Sequence, residues 1–346
     1  MQKYAILCHP GHNRVYYEAS KKLALAELAV LTQNLSIVCQ APCWEDIAGI
    51  GYVTFSAEEA LSPADQELLS RLSFAYAMFV VRDGDSALCL VPLEKTFSPF
   101  MEDSFGSILK YTGKTNERFT RMLIHIAHAA SRFAHEPCLR VLDPVAGKGT
   151  TLYEALSYGH HAYGIEVGER VVSDAYHYVK KYLETERYKH TAQINKQSGP
   201  NKTFTATRYQ FQIAKTKQAQ KEAGEKTLEI IAGNSVHTRQ FFPANFFHIL
   251  VGDLPYGVQH GVVTQEKQSP MTRDPKLLLD ACLPVWCEVL KPGGTMALAW
   301  NRHVFSSDAM RDTLARHNMK LLHPELDFSH RVDQSILRDV VIAQKA

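Results

Sequence analysis

The stretch Asp143-Pro144-Val145-Ala146-Gly147-Lys148-Gly149-Thr150-Thr151 decides the fold. It follows a short apolar run at 139–142 that reads as a strand, and it opens into a helix from Thr151. A strand, a G-x-G loop and a helix let backbone N–H groups approach a ligand closely, because glycine has no side chain to obstruct them. By itself such a loop also fits a tight turn. Here an Asp-Pro step closes the strand, two threonines open the helix, and a carboxylate follows the next strand. That carboxylate, Glu166, lies 17 residues past Gly149, where dinucleotide-like folds place an acid on ribose hydroxyls. The third glycine of the nicotinamide fingerprint is missing, and so is the Lys-Ser/Thr ending of a phosphate loop. The expected ligand is therefore nucleoside-like and need not carry a pyrophosphate.

Working outward, the same alternation recurs. Strands are expected at 162–165, 229–232, 248–251 and 295–300, with a helix over 275–290 that stops at Lys291-Pro292-Gly293-Gly294. Strands alternating with helices imply a parallel sheet covered on both faces, with ligands bound beyond the carboxyl ends of the strands. One of those ends carries a second unusual loop, Gly252-Asp253-Leu254-Pro255-Tyr256-Gly257. A β-turn with a buried tyrosine is the plain reading of it. Chemistry supplies another. The exocyclic amine of a base is a poor nucleophile, because its lone pair is delocalised into the ring. The Asp253 carboxylate and the Leu254 carbonyl would accept from both of its N–H groups and aim the nitrogen at a methyl donor. Pro255 stiffens the loop, and Tyr256 offers a face for base stacking, worth ~1–3 kcal/mol.

The order DPxxGxGT, Gly-Ile-Glu, Asp-x-Pro-Tyr-Gly and Lys-Pro-Gly-Gly over residues 110–346 resembles the class I S-adenosylmethionine-dependent methyltransferases. Within them it looks like the amino-methyltransferase branch, whose signature is (Asn/Asp)-Pro-Pro-(Tyr/Phe), and most like the RNA guanine-N2 methyltransferases related to the tRNA guanosine-10 enzymes. Leu254 stands where the family usually has its first proline. The resemblance implies a Rossmann-like doubly wound methyltransferase sheet, with S-adenosylmethionine as cofactor and no metal. It implies catalytic roles for Asp253, Leu254, Pro255 and Tyr256. Its cofactor-binding positions are Thr115, Asn116, Asp143, Pro144, Ala146, Gly147, Gly149, Thr150, Glu166, Val167, Asn234, Ser235 and Asp253. Within these, the segment 110–116 would close over the methionine end, although Thr115 or Asn116 also fits as a helix N-cap. Asn234 and Ser235 would face the adenine. The implied activity is methylation of an exocyclic amine of a nucleic-acid base, guanine N2 in tRNA being favoured. Adenine N6 in DNA or rRNA is the alternative, and an RNA-binding protein that keeps the fold without catalysis is a second one.

The whole chain fits that frame. It has 346 residues, 45% of them hydrophobic and 21% charged, enough apolar material for a sizeable core, so global disorder is excluded. Residues 1–100 read as a smaller N-terminal α/β domain, a candidate RNA-positioning module. Residues 101–138 read as a linker and a helix, and 139–346 as the catalytic domain. No apolar run is long enough for a membrane span, and no secretory signal is expected at the N-terminus. Seven cysteines without a CxxC pair fit a cytoplasmic, reducing location. The net charge is only +2, but residues 180–226 hold eleven Lys and Arg against four Glu. This basic insertion, near 184–227, is expected either to contact RNA or to be a solvated excursion. Its Tyr188, Phe204, Tyr209 and Phe211 are candidates for stacking on unpaired bases. Asn301, Arg302 and His303 end the 295–300 strand on the edge of the Asp253 loop, as substrate contacts or as a solvated loop.

Overall fold

The computed structural model describes residues 1–9, 14–84, 88–102, 104–107, 116–257 and 274–346. They divide into two compact units, one comprising residues 1–98 with 323–331, the other 99–322 with 332–346.

The first unit is built on an antiparallel sheet of order β2-β3-β1-β4-β5. Its strands are β1 (Gln2–Cys8), β2 (Cys43–Ile47), β3 (Ile50–Ala57), β4 (Ala75–Asp83) and β5 (Leu88–Leu93), and its helices are α1 (Arg14–Thr32) and α2 (Pro63–Ser70). Consecutive residues of β1 and of β3 are buried, and Ala5, Ile47, Tyr52 and Val81 pack together on one face. The N-terminus of α2 is held by a reciprocal cap between Ser62 and Asp65. The 323–331 excursion, which includes the two-residue β14 (His330–Arg331), is tied to α1 by Lys22. Its ammonium donates to the Ser329 carbonyl at 2.8 Å and pairs with Asp327.

The second unit is the doubly wound, Rossmann-like α/β sheet expected from the glycine loop. Short α3 (Ser104–Ser107) and α4 (Glu117–Ala130) lead into β6 (Arg140–Asp143), α5 (Thr150–Ser157), β7 (His161–Glu166) and α6 (Glu169–Thr185). Then follow β8 (Lys189–Ser198), β9 (Thr205–Ala214), α7 (Lys217–Ala223), β10 (Lys226–Ala232), α8 (Thr238–Phe241) and β11 (Phe247–Asp253). The chain ends with α9 (Pro275–Val289), β12 (Leu290–Asn301), α10 (Ser307–Arg316), β13 (Met319–Leu322) and β15 (Leu337–Lys345). The sheet order is β13-β15-β12-β11-β6-β7-β10-β9-β8. Strands β10, β7, β6, β11 and β12 are mutually parallel, and β15 runs against β12. Both faces of the parallel strands are covered. Leu142, Ile165, Ile231, Leu250 and Leu298 are buried in one core with Trp286 of α9 and Trp300 of β12. Each such side chain stabilises the sheet by ~1.5–3 kcal/mol.

From β6 the chain winds to β7 and β10 on one side, then crosses to β11 on the other. The switch point therefore lies between β6 and β11, and the carboxyl ends of these strands carry Asp143 and Asp253.

The basic insertion corrects one expectation. It is built into the sheet, and two of its four candidate stacking aromatics, Tyr209 and Phe211, are core side chains. It forms the antiparallel hairpin β8–β9, which extends the sheet from β10. Tyr209 and Phe211 are buried against Tyr176 of α6, with ring centroids 5.2 and 4.9 Å away, so they belong to the core and offer no face to a base. Phe204 stacks on His237 at 4.7 Å. Arg208 is paired with the buried Glu229 at 2.9 Å. The register also sorts the lysines. Thr207 pairs with Ala232 and Ser198 with Thr205, which puts the 199–204 turn, with Lys196 and Lys202, at the carboxyl edge. Lys189 pairs with Ala214, which leaves Lys215 and α7 with Lys217 and Lys221 at the amino edge. Among the described residues no helix is long and apolar enough to cross a membrane.

Candidate active site at the sheet switch point

The glycine loop is shaped by three local devices. Asp143 Oδ1 accepts from Val145 N at 3.0 Å, which turns the chain out of β6. Ala146 N donates to Ile165 O at 2.9 Å, which ties the turn to the neighbouring strand. Gly149 then caps α5 with φ near +92°, a left-handed conformation that costs a side-chain-bearing residue energy. The remaining glycine of the signature is Gly164, inside β7. A Cβ there would meet Leu152 Cδ1 at 2.7 Å and Ala146 Cβ at 2.8 Å, so its absence is what lets α5 pack against β7. Gly147, in contrast, faces open space, which leaves its backbone approachable.

Glu166 closes the loop from the other side. Its Oε2 accepts from Gly147 N at 3.1 Å and its Oε1 from Gly168 N at 2.8 Å. Three carboxylates thus gather at the ends of β6, β7 and β11. Asp143 is 3% exposed. Burial, above all, pushes its carboxyl up to about 7. Negative charge on Asp253 and Glu166 adds to this, and hydrogen bonds from Thr151 and Val145 oppose it. A cluster of carboxylates of this kind favours a ligand that carries positive charge.

The Asp253 loop departs from the open acceptor expected of it. Tyr256 folds back so that its hydroxyl donates to Asp253 Oδ1 at 2.5 Å. Burial, and then the adjacent Asp253 charge, raise the Tyr256 phenol well above its ordinary value, so it remains a donor. Arg338 of β15 stands opposite, its guanidinium 3.6 Å from Asp253 Oδ2 and 5.2 Å from the centre of the Tyr256 ring. Leu254 is buried, its N–H bonded to Ala299 O at 2.8 Å, and Pro255 is half-buried. Arg338 and the fully buried Asn301, whose Nδ2 donates to Tyr256 O at 3.2 Å, complete this corner. The sequence offers Asn301 as a substrate contact or part of a solvated loop, and the structure corrects both, because the side chain is fully buried with its amide bonded to protein groups; Arg338 is marked by no local motif.

The other expected positions separate into two groups. Val167, 52% exposed, stands beside Glu166, and the exposed Asn234 follows β10. Both lie at the same edge as Asp143, Pro144, Ala146, Gly147, Gly149 and Thr150. Ser235 is turned inward, where its Oγ accepts from Trp286 Nε1 at 3.0 Å. Asn116 caps α4, accepting from Arg118 N at 2.9 Å and Phe119 N at 3.2 Å. Asn234 Oδ1 caps the turn after it in the same way, accepting from Val236 N at 3.1 Å. Thr115 and the rest of the 110–115 segment lie outside the described residues.

The sequence matches no family model and no curated protein. Solved structures do resemble the chain. TrmN from Thermus thermophilus is 14% identical with a TM-score of 0.44, over 100% of both chains. An rRNA methylase from Streptococcus thermophilus is 14% identical, TM-score 0.35, over 64% of this chain and 96% of its own. A TehB-like SAM-dependent methyltransferase from Corynebacterium glutamicum is 10% identical, TM-score 0.33, over 60% and 80%. At these identities the likeness is one of fold.

Proposed function

We propose that this chain is an S-adenosylmethionine-dependent methyltransferase that modifies an exocyclic amine of an RNA base. Guanine N2 in tRNA is the favoured target. The observation that carries the reading is the convergence of Asp143, Glu166 and Asp253 on the switch point, around an approachable glycine loop. The donor set fits the cofactor. Glu166 accepts from ribose hydroxyls, the glycine loop lies along the methionine end, and the buried Asp143 charge complements a cation.

The bound cofactor supplies an electrophilic methyl group on a positively charged sulfur. The protein's residues do the rest. Asp253 Oδ1 and the Leu254 carbonyl accept the two amine N–H groups and hold the nitrogen in line with the methyl carbon. Tyr256 yields Asp253 Oδ1 to the incoming amine. A cofactor held by Glu166 and the glycine loop would supply the methyl group to the nitrogen so positioned, and the proton that the amine loses would pass to Asp253 or to water.

The test has two stages. Calorimetry with S-adenosylmethionine comes first, and absence of binding would favour a scaffold. Methyl transfer to unmodified tRNA, rRNA and duplex DNA, followed by nucleoside analysis, then reads the base and atom. N6-methyladenine as product would replace the guanine assignment.

A further inference from the structure

Residues 301–303 and 335–338 form a collar behind the Asp253 loop. Asn301 is 0% exposed. Its Nδ2 donates to Tyr256 O at 3.2 Å and Ser335 O at 3.0 Å, while its Oδ1 accepts from Leu337 N and His303 N, both at 3.1 Å. An amide has two N–H donors and two acceptor lone pairs, and all four are used here. Because two backbone N–H groups face one end and two carbonyls the other, the amide has one workable orientation. Arg302 N adds a bond to Leu337 O at 2.8 Å. Arg338 then reaches Asp253, resting on Phe119 of α4, whose ring centre is 4.4 Å from the guanidinium carbon. Its side chain is 7% exposed, and the Asp253 side chain it faces is 17% exposed.

We infer that Asn301 and Arg338 are positioning residues for the acceptor amine. Asn301 fixes the backbone of the 253–256 loop through the Tyr256 carbonyl. Arg338 holds the Asp253 carboxylate by Oδ2. With no substrate bound, Tyr256 holds the other oxygen. Once an amine N–H takes Oδ1 from Tyr256, Arg338 still holds Oδ2 and so resists turning of the carboxylate. The inference rests on the reading of Asp253 as the carboxylate that holds the amine.

The experiment compares Asn301→Asp, Asn301→Ala, Arg338→Met and Arg338→Lys with the parent chain. It reads hydrogen exchange of peptides over 253–257 and 143–149, cofactor affinity, and kcat and KM for methyl transfer. Asn301→Asp puts a carboxylate oxygen against two carbonyls, and Asn301→Ala removes the ties. Both should speed exchange of 253–257 by about tenfold while leaving 143–149 and the cofactor Kd within about twofold. Arg338→Met should lower kcat by about tenfold or more with the cofactor KM nearly unchanged, and Arg338→Lys should recover part of the loss. Parental exchange at 253–257 in the Asn301 variants overturns the role of Asn301. A parental kcat in Arg338→Met, or equal losses for Met and Lys, overturns that of Arg338. If the parent chain transfers no methyl group, the proposed reaction fails. Exchange at 253–257 then decides the collar by itself: faster exchange in Arg338→Met and the Asn301 variants upholds it, and parental exchange overturns it.

Discussion

Replacing Asp143 by asparagine tests the electrostatics of the switch point. The carboxyl is buried among Val145, Thr151 and the charges of Asp253 and Glu166, and burial raises it from 3.8 to about 7. An unfolded chain releases this proton near 3.8, whereas the folded chain keeps it to about 7. Between those values the folded state binds the extra proton, so stability falls as pH rises through the window and is level on either side. At about 1.36 kcal/mol per pH unit, the gap corresponds to about 4 kcal/mol at most. Asparagine has nearly the same shape, still accepts from Val145 N, and never ionises. Chemical denaturation of both proteins from pH 4 to 8 isolates the effect, because titrating groups that do not interact with Asp143 cancel in the difference. The asparagine variant should gain on the parent by up to about 4 kcal/mol over that range. Cofactor binding gives the complementary result. A cationic ligand favours ionised Asp143, so the parent's affinity for S-adenosylmethionine should rise from pH 6 towards pH 8, by no more than about tenfold per pH unit below 7. The variant's affinity should stay flat. A stability difference that does not change with pH would refute the buried-carboxylate argument. Equal pH dependence of affinity in the two proteins would remove Asp143 from the cofactor's surroundings.

Glu166→Ala should weaken S-adenosylmethionine binding by ~1.5–3 kcal/mol, the worth of hydrogen bonds to a charged acceptor, and calorimetry reads this directly. Asp253→Ala should abolish methyl transfer, with a loss of rate far larger than any loss of cofactor affinity; retention of most of the rate would sink the amine-holding role. Lys196→Gln with Lys202→Gln removes two cations at the carboxyl edge. It should lower the slope of log K for RNA against log salt by roughly 1.4, at 0.7 per single-strand phosphate contact. Changing Lys215, Lys217 and Lys221 at the opposite edge should leave that slope in place, and the reverse pattern would assign RNA to the wrong edge.

The features legible in the chain are local. Asp143–Thr151 announces a strand, a ligand-approaching loop and a helix within nine residues, and Glu166 completes the pattern one strand later. Period-two and helical spacings, a proline at a helix start and glycines at a cap all act on neighbours in the chain, so they are legible without the fold. That the sheet is parallel, and which edge carries the site, follow from the same signals. Every pairing between distant segments comes from the folded arrangement. The 180–226 charge run reads in sequence as either an RNA contact or a solvated excursion, with its aromatics as candidate stacking residues. Alternate residues of β9 instead face α6, and only that packing showed Tyr209 and Phe211 to be core. The return of 323–331 to the N-terminal unit depends on Lys22, three hundred residues upstream, meeting Ser329. Asn301 and Arg338 carry no motif at all. A buried amide becomes a junction only when backbone groups from residues 256, 303, 335 and 337 arrive around it. A guanidinium takes up its place beside Asp253 only because β15 pairs antiparallel with β12. Such contacts arise from the mutual fit of surfaces brought together by folding, and no stretch of chain encodes that fit on its own.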